Sequence, residues 1–506
     1  LNFSTDVQAS VLAILPEILM TVLAIALLGL DLVWPDARKR DLGYVAGIGL
    51  LAVIGVMLVL APPQGELSDQ LVLGGMVRHD QLAQIFRTMV ILGGALSCLV
   101  TMGVPRLQHR GDFYAVLVAA VIGASLMSAA ADLVMAFLAL EMTSITAYLL
   151  VGYLRSNAKS TEAGLKYFLF GAFTSALSLY GLSLLYGFTG ETNLYRLGGA
   201  LGRGDLADGP VVAALALVSV GFAFKISAVP FHFWTPDVYE GAPTPITTLL
   251  STASKAGSVA LMMRFFLAVF PPAELLGALE GVKNYSEFWV QLVAVLSVVS
   301  MTLGNLLALV QRNIKRLLAY STIAHAGYIL IGVAAISTDR SGDGVAAVTF
   351  YMFMYVLTNA LAFGVVILFA NATGSESIAD FAGLSRRNPW LALAMTLALL
   401  SLGGIPPAAG FVGKFLLFRA AVDSNLVWLA LIGVVNVIVG LYYYLAVVKV
   451  MYMERSPDED RPVAVDTPYV WALGIASAGV LLLGTIMVTP FVDWATEAAQ
   501  ALYVLL

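Results

Sequence analysis

Runs of about twenty predominantly apolar residues recur along this chain. That feature alone decides the fold class, because a helix needs about 20 such residues to cross the roughly 30 Å hydrocarbon core of a bilayer. Separated by clusters of charge, Pro and Gly, fourteen runs fit, over 10–34, 42–61, 79–103, 112–130, 132–154, 161–188, 210–234, 244–270, 287–310, 315–337, 343–370, 388–422, 425–453 and 467–492. The predicted fold is an all-α integral membrane protein with about 14 transmembrane helices. Only 12% of the 506 residues are charged and 60% are hydrophobic, whereas a soluble domain carries about 25% charged residues. With 27 Lys and Arg against 32 Asp and Glu, no basic surplus exists to neutralise phosphates, which excludes a nucleic-acid partner. The single cysteine, Cys98, excludes a disulfide framework, a Cys-ligated zinc site and an iron–sulfur cluster. His79, His109, His232 and His325 are too scattered for a metal site. The first run is flanked by Glu17 and Asp31 with no basic region ahead of it, so it reads as a span rather than a signal segment.

Orientation follows from the loops. With the N-terminus outside, the cytoplasmic loops hold fourteen basic residues, among them Arg38, Lys39, Arg40, Arg312, Lys315 and Arg316, while the opposite loops hold five, Arg78, Arg196, Arg203, Lys283 and Arg340. The positive-inside rule then places both termini outside. Spans 4 to 8 and 9 to 13 make two five-helix units, and the odd count turns the second over, giving an inverted repeat of the transporter kind. This divides the single membrane domain into three N-terminal helices (1–103), a first half-unit (112–270), a second, inverted half-unit (287–453) and a final helix (467–492). The fourth helix of each unit is interrupted, span 7 at Pro230 and span 12 at Gly403, Gly404, Pro406 and Pro407. The repeat is imperfect, since Lys225 precedes its break and Lys414 follows its own.

Eight basic residues fall within spans, and an intramembrane charge points to function. Lys225 lies about fifteen residues into span 7, where Pro230 cannot donate to the carbonyl of Ile226. Lys255 sits midway along span 8 among Ser251, Thr252, Ser254 and Ser258, and Lys414 follows the Pro407 break by two helical turns. Glu141 is the acidic residue near the middle of a span. Each such charge costs about 2.5 to 3.5 kcal/mol to insert, so three lysines and a glutamate argue for use rather than accident. His325 reads equally as a hydrogen-bonded core residue or a relay, and Lys166 as a relay or a side chain snorkelling to the surface. Arg87, Arg264, Arg419 and Lys449 are assigned to static ion pairs or snorkelling, and His232 with Trp234 to an interfacial aromatic anchor. The glycine-rich stretch from Arg196 to Asp205 follows no strand and reads as a connector.

Lysine suits proton carriage, because burial disfavours its charged form and a nearby carboxylate restores it. A thousandfold change in proton affinity is about 4 kcal/mol. That is comparable with the roughly 4.6 kcal/mol needed to move one charge against about 200 mV. Arginine cannot do this, since it does not deprotonate.

The segments FKISAVPFHFWTPDVYEGAPTPITTLLSTASKAG (Phe224 to Gly257), KYFLFGAFTSALSLYGLSLLYGFTG (Lys166 to Gly190) and LSLGGIPPAAGFVGKF (Leu400 to Phe415) closely resemble the antiporter-like subunit N family of proton-pumping NADH-quinone oxidoreductase, respiratory complex I. The likeness runs over essentially the whole chain. It implies a proton relay through Glu141, Lys225, Lys255 and Lys414, with His325 and Lys166 at positions where the family has polar relay groups. The sister M subunits are similar but carry a glutamate on the twelfth helix, where Lys414 stands here. The resemblance further implies a bacterial inner-membrane location, where the outward termini of the positive-inside reading are periplasmic, and no cofactor in this chain. Flavin, iron–sulfur clusters and quinone would reside in partner subunits, and the partners would be neighbouring antiporter-like subunits, small membrane subunits and lipids. The alternatives are a subunit of a multisubunit cation/proton antiporter and a membrane scaffold with inert charges.

Overall fold

The computed structural model describes residues 3–63, 70–202, 207–271, 285–336, 343–456, 461–464 and 467–503. Arg203, Lys283 and Arg340 of the sparsely basic loops lie outside the described residues. Helices α1 (Phe3–Ala13), α2 (Leu15–Val33), α3 (Leu42–Leu60) and α4 (Gln81–Thr101) come first. They are followed by α5 (Gly111–Ala129), α6 (Leu133–Val151), α7 (Ala158–Thr189), α8 (Leu194–Leu201), α9 (Asp208–Ile226), α10 (Trp234–Gly241), α11 (Thr244–Leu249) and α12 (Lys255–Val269). The remainder are α13 (Ser286–Ala308), α14 (Ile314–Ala335), α15 (Asp343–Thr373), α16 (Leu384–Arg387), α17 (Pro389–Gly403), α18 (Ala409–Asp423), α19 (Val427–Met453), α20 (Thr467–Gly484) and α21 (Val488–Tyr503). One antiparallel hairpin, β1 (Leu71–Val72) with β2 (Val77–Arg78), sits before α4.

Eleven of the described helices are long and apolar enough to cross a bilayer, or twelve if the pair bent by 82° near residue 485 is one span. Three of the fourteen apolar runs therefore hold no single regular α-helix of spanning length, and each has a local cause. Run 244–270 contains a π-helical turn, Leu250–Ser254, between α11 and α12. Run 388–422 is cut by the Gly-Ile-Pro-Pro stretch, and run 467–492 bends between α20 and α21. Helix starts are set by short polar caps: the Asp132 carboxylate accepts from the backbone N–H of Val134 at 2.8 Å, and Asn313 and Asn388 act similarly for α14 and α17.

Helices α4, α14 and α15 are buried nearly all round, while α2, α6, α7 and α19 turn residues such as Ile25, Leu149, Phe173 and Ile438 outward. That is the pattern of a bundle whose solvent is lipid. Small residues let the helices approach: a Cβ on Gly257 would lie 2.5 Å from the carbonyl oxygen of Ala124, and one on Gly327 2.5 Å from the nitrogen of Met301. The loops gather on two faces. Backbone bridges Val77–Ala130 and Asp132–Asn193 join one set, and the Asn313–Ser377 bridge with the Lys159–Glu240 and Arg316–Glu240 ion pairs joins the other.

Two buried ion clusters tie the N-terminal helices to the rest. Glu17 pairs with Arg87 at 3.1 Å and accepts from Ser125 at 2.6 Å. Asp80 receives both terminal nitrogens of Arg264, at 2.8 and 2.9 Å, and the Nε of Arg78 at 3.0 Å, while the Tyr195 hydroxyl accepts from both arginines. Arg87 and Arg264 are thus static, paired charges. Removing one member of such a buried cluster strands its partners at a cost of about 3–5 kcal/mol. Asp80→Ala is expected to lower the thermal unfolding midpoint of the detergent-solubilised protein far more than Tyr195→Phe, which deletes only one hydroxyl.

Candidate functional site

The break after α9 is built by the backbone before Pro230 is reached. Ser227 takes a left-handed conformation at φ 66°, the N–H of Ala228 bonds the carbonyl of Ala223 at 2.8 Å and that of Ser227 bonds Phe224 at 3.1 Å. This 6→1 closure ends a helix without continuing it. The indole of Trp234 also donates to the Phe224 carbonyl, at 3.1 Å, and stacks on Tyr167 with centroids 4.5 Å apart. Trp234 and His232 are buried, so the interfacial anchor expected from sequence is corrected: the ring closes a helix end inside the bundle. The break after α17 has the same construction. Gly404 is left-handed at φ 80°, and Ile405 bonds back to Leu400 at 2.9 Å.

Lys225 is 3% exposed two residues before the left-handed Ser227, and its ammonium has no hydrogen-bond partner among the described residues. Ser227, His232, Thr235 and Tyr239, on or just after the break, likewise present buried polar atoms without a hydrogen-bond partner among the described residues. Glu141, half-buried on α6, accepts from the Ser175 hydroxyl of α7 at 2.5 Å. No ion pair between Glu141 and Lys225 occurs within 4.0 Å, so these two residues are not brought into contact.

The other three central residues converge. Lys255 follows the π turn and is 1% exposed; its ammonium donates to the carbonyl of Thr322 at 3.1 Å and lies 5.7 Å from the Tyr355 ring. π turns recur at functional positions in helices. Tyr355 donates to the Thr322 hydroxyl at 3.0 Å, and its ring lies 5.2 Å from that of His325. One imidazole nitrogen of His325 is 2.6 Å from the Tyr351 hydroxyl and the other 3.1 Å from that of Tyr444, which in turn meets Ser321 at 2.5 Å. Tyr328 packs against the same imidazole at 5.6 Å, and the ammonium of Lys414 lies 5.0 Å from the Tyr328 ring. Lys414 folds back to donate to the carbonyl of Leu402 at 2.7 Å. Leu402 stands two residues before the left-handed Gly404, the register that Lys225 holds before Ser227.

Lys166 is not central. It is partly exposed and pairs with Glu162 at 2.7 Å and Asp237 at 2.6 Å, in a surface network where Arg316 reaches Asp237 at 2.9 Å and Glu240 at 3.0 Å. Sequence reading missed Asp237, Glu240 and the tyrosines; the three-residue spacing of Asp237 and Glu240 on one short helix was the available signal. Burial pushes the Asp237 carboxyl up, but hydrogen bonds from Lys166 and Arg316 outweigh it and hold the group below the usual carboxylate range. Its contribution to stability is therefore full above about pH 4 and is lost as pH falls through the depressed value. The group is over a third exposed, so the pair is worth less than about 1 kcal/mol. Asp237→Asn should lower the unfolding midpoint slightly at pH 7, with the difference from the parent protein closing in acid.

A helical membrane bundle with lysine, histidine and tyrosine side chains strung through its interior defines an antiporter-like membrane subunit. Residues 130–440 match the family described as NADH:quinone oxidoreductase/Mrp antiporter, TM, and the chain belongs to that family. It is 39% identical over 493 residues to NADH-quinone oxidoreductase subunit N of Moorella thermoacetica, covering 96% of this chain and 98% of that relative. It is 41% identical over 509 residues to the same-named subunit of Anaeromyxobacter sp., with 96% of each covered. A chain of respiratory complex I from Thermus thermophilus superposes with a TM-score of 0.75 at 30% identity, over 94% of this chain and 98% of that one. A chain of the Mrp complex from Dietzia sp. shares the fold, with a TM-score of 0.77 at 20% identity over 98% of each chain.

Proposed function

We propose that this chain is the proton-translocating, non-redox membrane subunit of an NADH-quinone oxidoreductase, and that its protons move along the buried line Lys255–Tyr355–His325–Tyr444–Tyr328–Lys414. The single observation that carries the reading is His325 held between two tyrosine hydroxyls, with a buried lysine on either side. Hydroxyl, imidazole and amine groups both accept and donate protons. The orphaned polar atoms around Lys225 suit a hydrated chamber that feeds this line, and Glu141 with Ser175 supplies the charge that biases Lys225. Lys166 belongs to the mouth of the path, on the face where Asp237 and Glu240 collect. A single half-buried carboxylate with lysines behind it suits protons better than a metal cation, which asks for several converging oxygens.

The same reading takes the chain as fourteen spans with two inverted five-helix half-units, 112–270 and 287–453, whose broken helices are α9–α10 and α17–α18. The matched endings at Ser227 and Gly404, and the reach of Lys414 back to the register of Lys225, support it. Both termini face the periplasm of a bacterial inner membrane, and flavin, iron–sulfur clusters and quinone reside in partner subunits. Identification of the proteins that co-purify in mild detergent tests the assembly: NADH-oxidising partners are expected, and cation/proton antiporter subunits in their place would overturn it. Sidedness is tested by Arg38→Cys and Arg312→Cys, because the native Cys98 is fully buried and stays silent. Both positions are expected to resist an impermeant thiol reagent applied outside intact cells; strong labelling of either contradicts the topology.

A further inference from the structure

Asn305 of α13 lies inside the bundle, 1% exposed, with both ends of its amide bonded. Its Nδ2 is 3.0 Å from the Tyr328 hydroxyl, 3.1 Å from the backbone carbonyl of Asn436 and 3.2 Å from the Asn436 Oδ1, and its Oδ1 is 3.0 Å from the Tyr443 hydroxyl. Asn436, buried on α19, is fixed in turn, since its own Nδ2 donates to the Ile432 carbonyl at 3.0 Å and to the Thr302 hydroxyl at 3.3 Å. Glycines allow the approach. A Cβ on Gly304 would lie 2.5 Å from the nitrogen of Ala324 in α14, and one on Gly440 of α19 would lie 3.3 Å from the Asn305 Oδ1.

Burying an amide is costly unless it is bonded, and here the bonds also fix its direction. A backbone carbonyl only accepts, so the NH2 end of Asn305 faces Asn436 and, with it, Tyr328. The Tyr328 oxygen is therefore an acceptor toward α13, while Tyr443 gives its proton to the Asn305 Oδ1. A phenol carries one proton. That of Tyr443 is committed, and that of Tyr328 stays available to the other side of its ring, where His325 lies 5.6 Å away and the Lys414 ammonium 5.0 Å away. We infer that Asn305 is a positioning residue of the proton line, holding the Tyr328 hydroxyl as an acceptor on the α13 side so that the Tyr328 proton serves the side of His325 and Lys414. The inference rests on the line proposed above, in which Tyr328 joins Tyr444 to Lys414.

The test is proton pumping by the complete complex in vesicles, normalised to assembled complex and followed across pH. Asn305→Leu removes the donor to Tyr328, and pumping is expected to fall roughly ten- to hundredfold at every pH, the scale of a displaced reacting group. Asn305→Asp keeps the shape and adds a second readout. Protonated, the introduced carboxyl donates to Tyr328 and accepts from Tyr443 as the amide does; ionised, it only accepts, and the Tyr328 bond reverses. Pumping relative to the parent should thus be near normal on the acid side of that titration and fall as pH rises through it. The titratable groups around the position are Tyr328 of α14 and Tyr443 and Tyr444 of α19, with Lys414 of α18 beyond the Tyr328 ring. The parent carries all four, so the ratio to its own pH profile isolates the new carboxyl. Parent-like pumping in Asn305→Leu, or an Asn305→Asp ratio constant with pH, would overturn the assignment. Loss of assembly in both variants would do the same, because it would make Asn305 a packing residue. His325→Phe in the same assay separates this inference from the line itself: full pumping there removes the line, whereas loss there with full pumping in Asn305→Leu removes only the role of Asn305.

Discussion

His325→Phe is expected to leave the complex assembled and its redox partners intact while reducing proton pumping by about a hundredfold or more. The imidazole is 1% exposed and spans from Tyr351 at 2.6 Å to Tyr444 at 3.1 Å. Phenylalanine fills a similar volume among Tyr328, Tyr351 and Tyr355 but neither accepts nor donates a proton, so the line between Lys255 and Lys414 is cut at its middle. Positioned acid–base groups contribute typically 10²- to 10⁴-fold to proton-transfer rates. The structural cost is smaller: Tyr444 keeps Ser321 as a partner, and orphaning the Tyr351 hydroxyl costs about 1–3 kcal/mol. Pumping measured by acidification in vesicles, normalised to assembled complex, separates the two effects. Full pumping in His325→Phe would remove the residue from the path and return it to the core.

Glu141→Gln is the second change with a large expected effect. It keeps volume and can still accept from Ser175, so α6 and α7 stay packed. It removes the Glu141 carboxylate, and with it the proposed electrostatic bias on Lys225, whose ammonium has no hydrogen-bond partner among the described residues. Pumping-linked turnover should fall at least tenfold at unchanged assembly. Because Glu141 and Lys225 are not in contact, the effect must act through space or through a rearrangement that brings them together. Glu141→Asp, which retains the charge on a shorter arm, should recover part of the activity.

What could be read from sequence divides along a physical line. A charge inside an apolar run is a local signal, so Lys225, Lys255, Lys414 and Glu141 stood out, as did the Gly and Pro residues at the breaks. Partners were invisible, because Asp80 and Arg264 stand 184 positions apart and no periodicity links them. Tyrosine escaped for a different reason. Tyr351, Tyr355 and Tyr444 count as apolar in any span-finding argument, yet their hydroxyls connect His325 to the rest of the site. The backbone also held information that composition lacks: the span through Lys255 contains a π turn, and both broken helices end in the same left-handed closure. Lys414, which follows its break in sequence, reaches back to the carbonyl of Leu402, two residues before the left-handed Gly404, the register that Lys225 holds before Ser227. Trp234 was misread because an aromatic beside Pro at a span end looks interfacial until the chain is seen to turn back into the bundle.

On the proposed reading, the buried lysines Lys225, Lys255 and Lys414 give up and regain a proton rather than merely hold charge. Proton pumping per assembled complex, compared between Met and Arg variants at Lys225, Lys255 and Lys414, tests this most directly. Met removes both the charge and the proton, whereas Arg keeps the charge but does not release the proton. The relay predicts loss of pumping in both series at all three sites with assembly unchanged, including at Lys414, far in sequence from Glu141. A static scaffold predicts that Arg is tolerated and that Met is neutral or even stabilising, because a buried charge is costly to keep. Full pumping in all three Lys→Arg variants would contradict the relay.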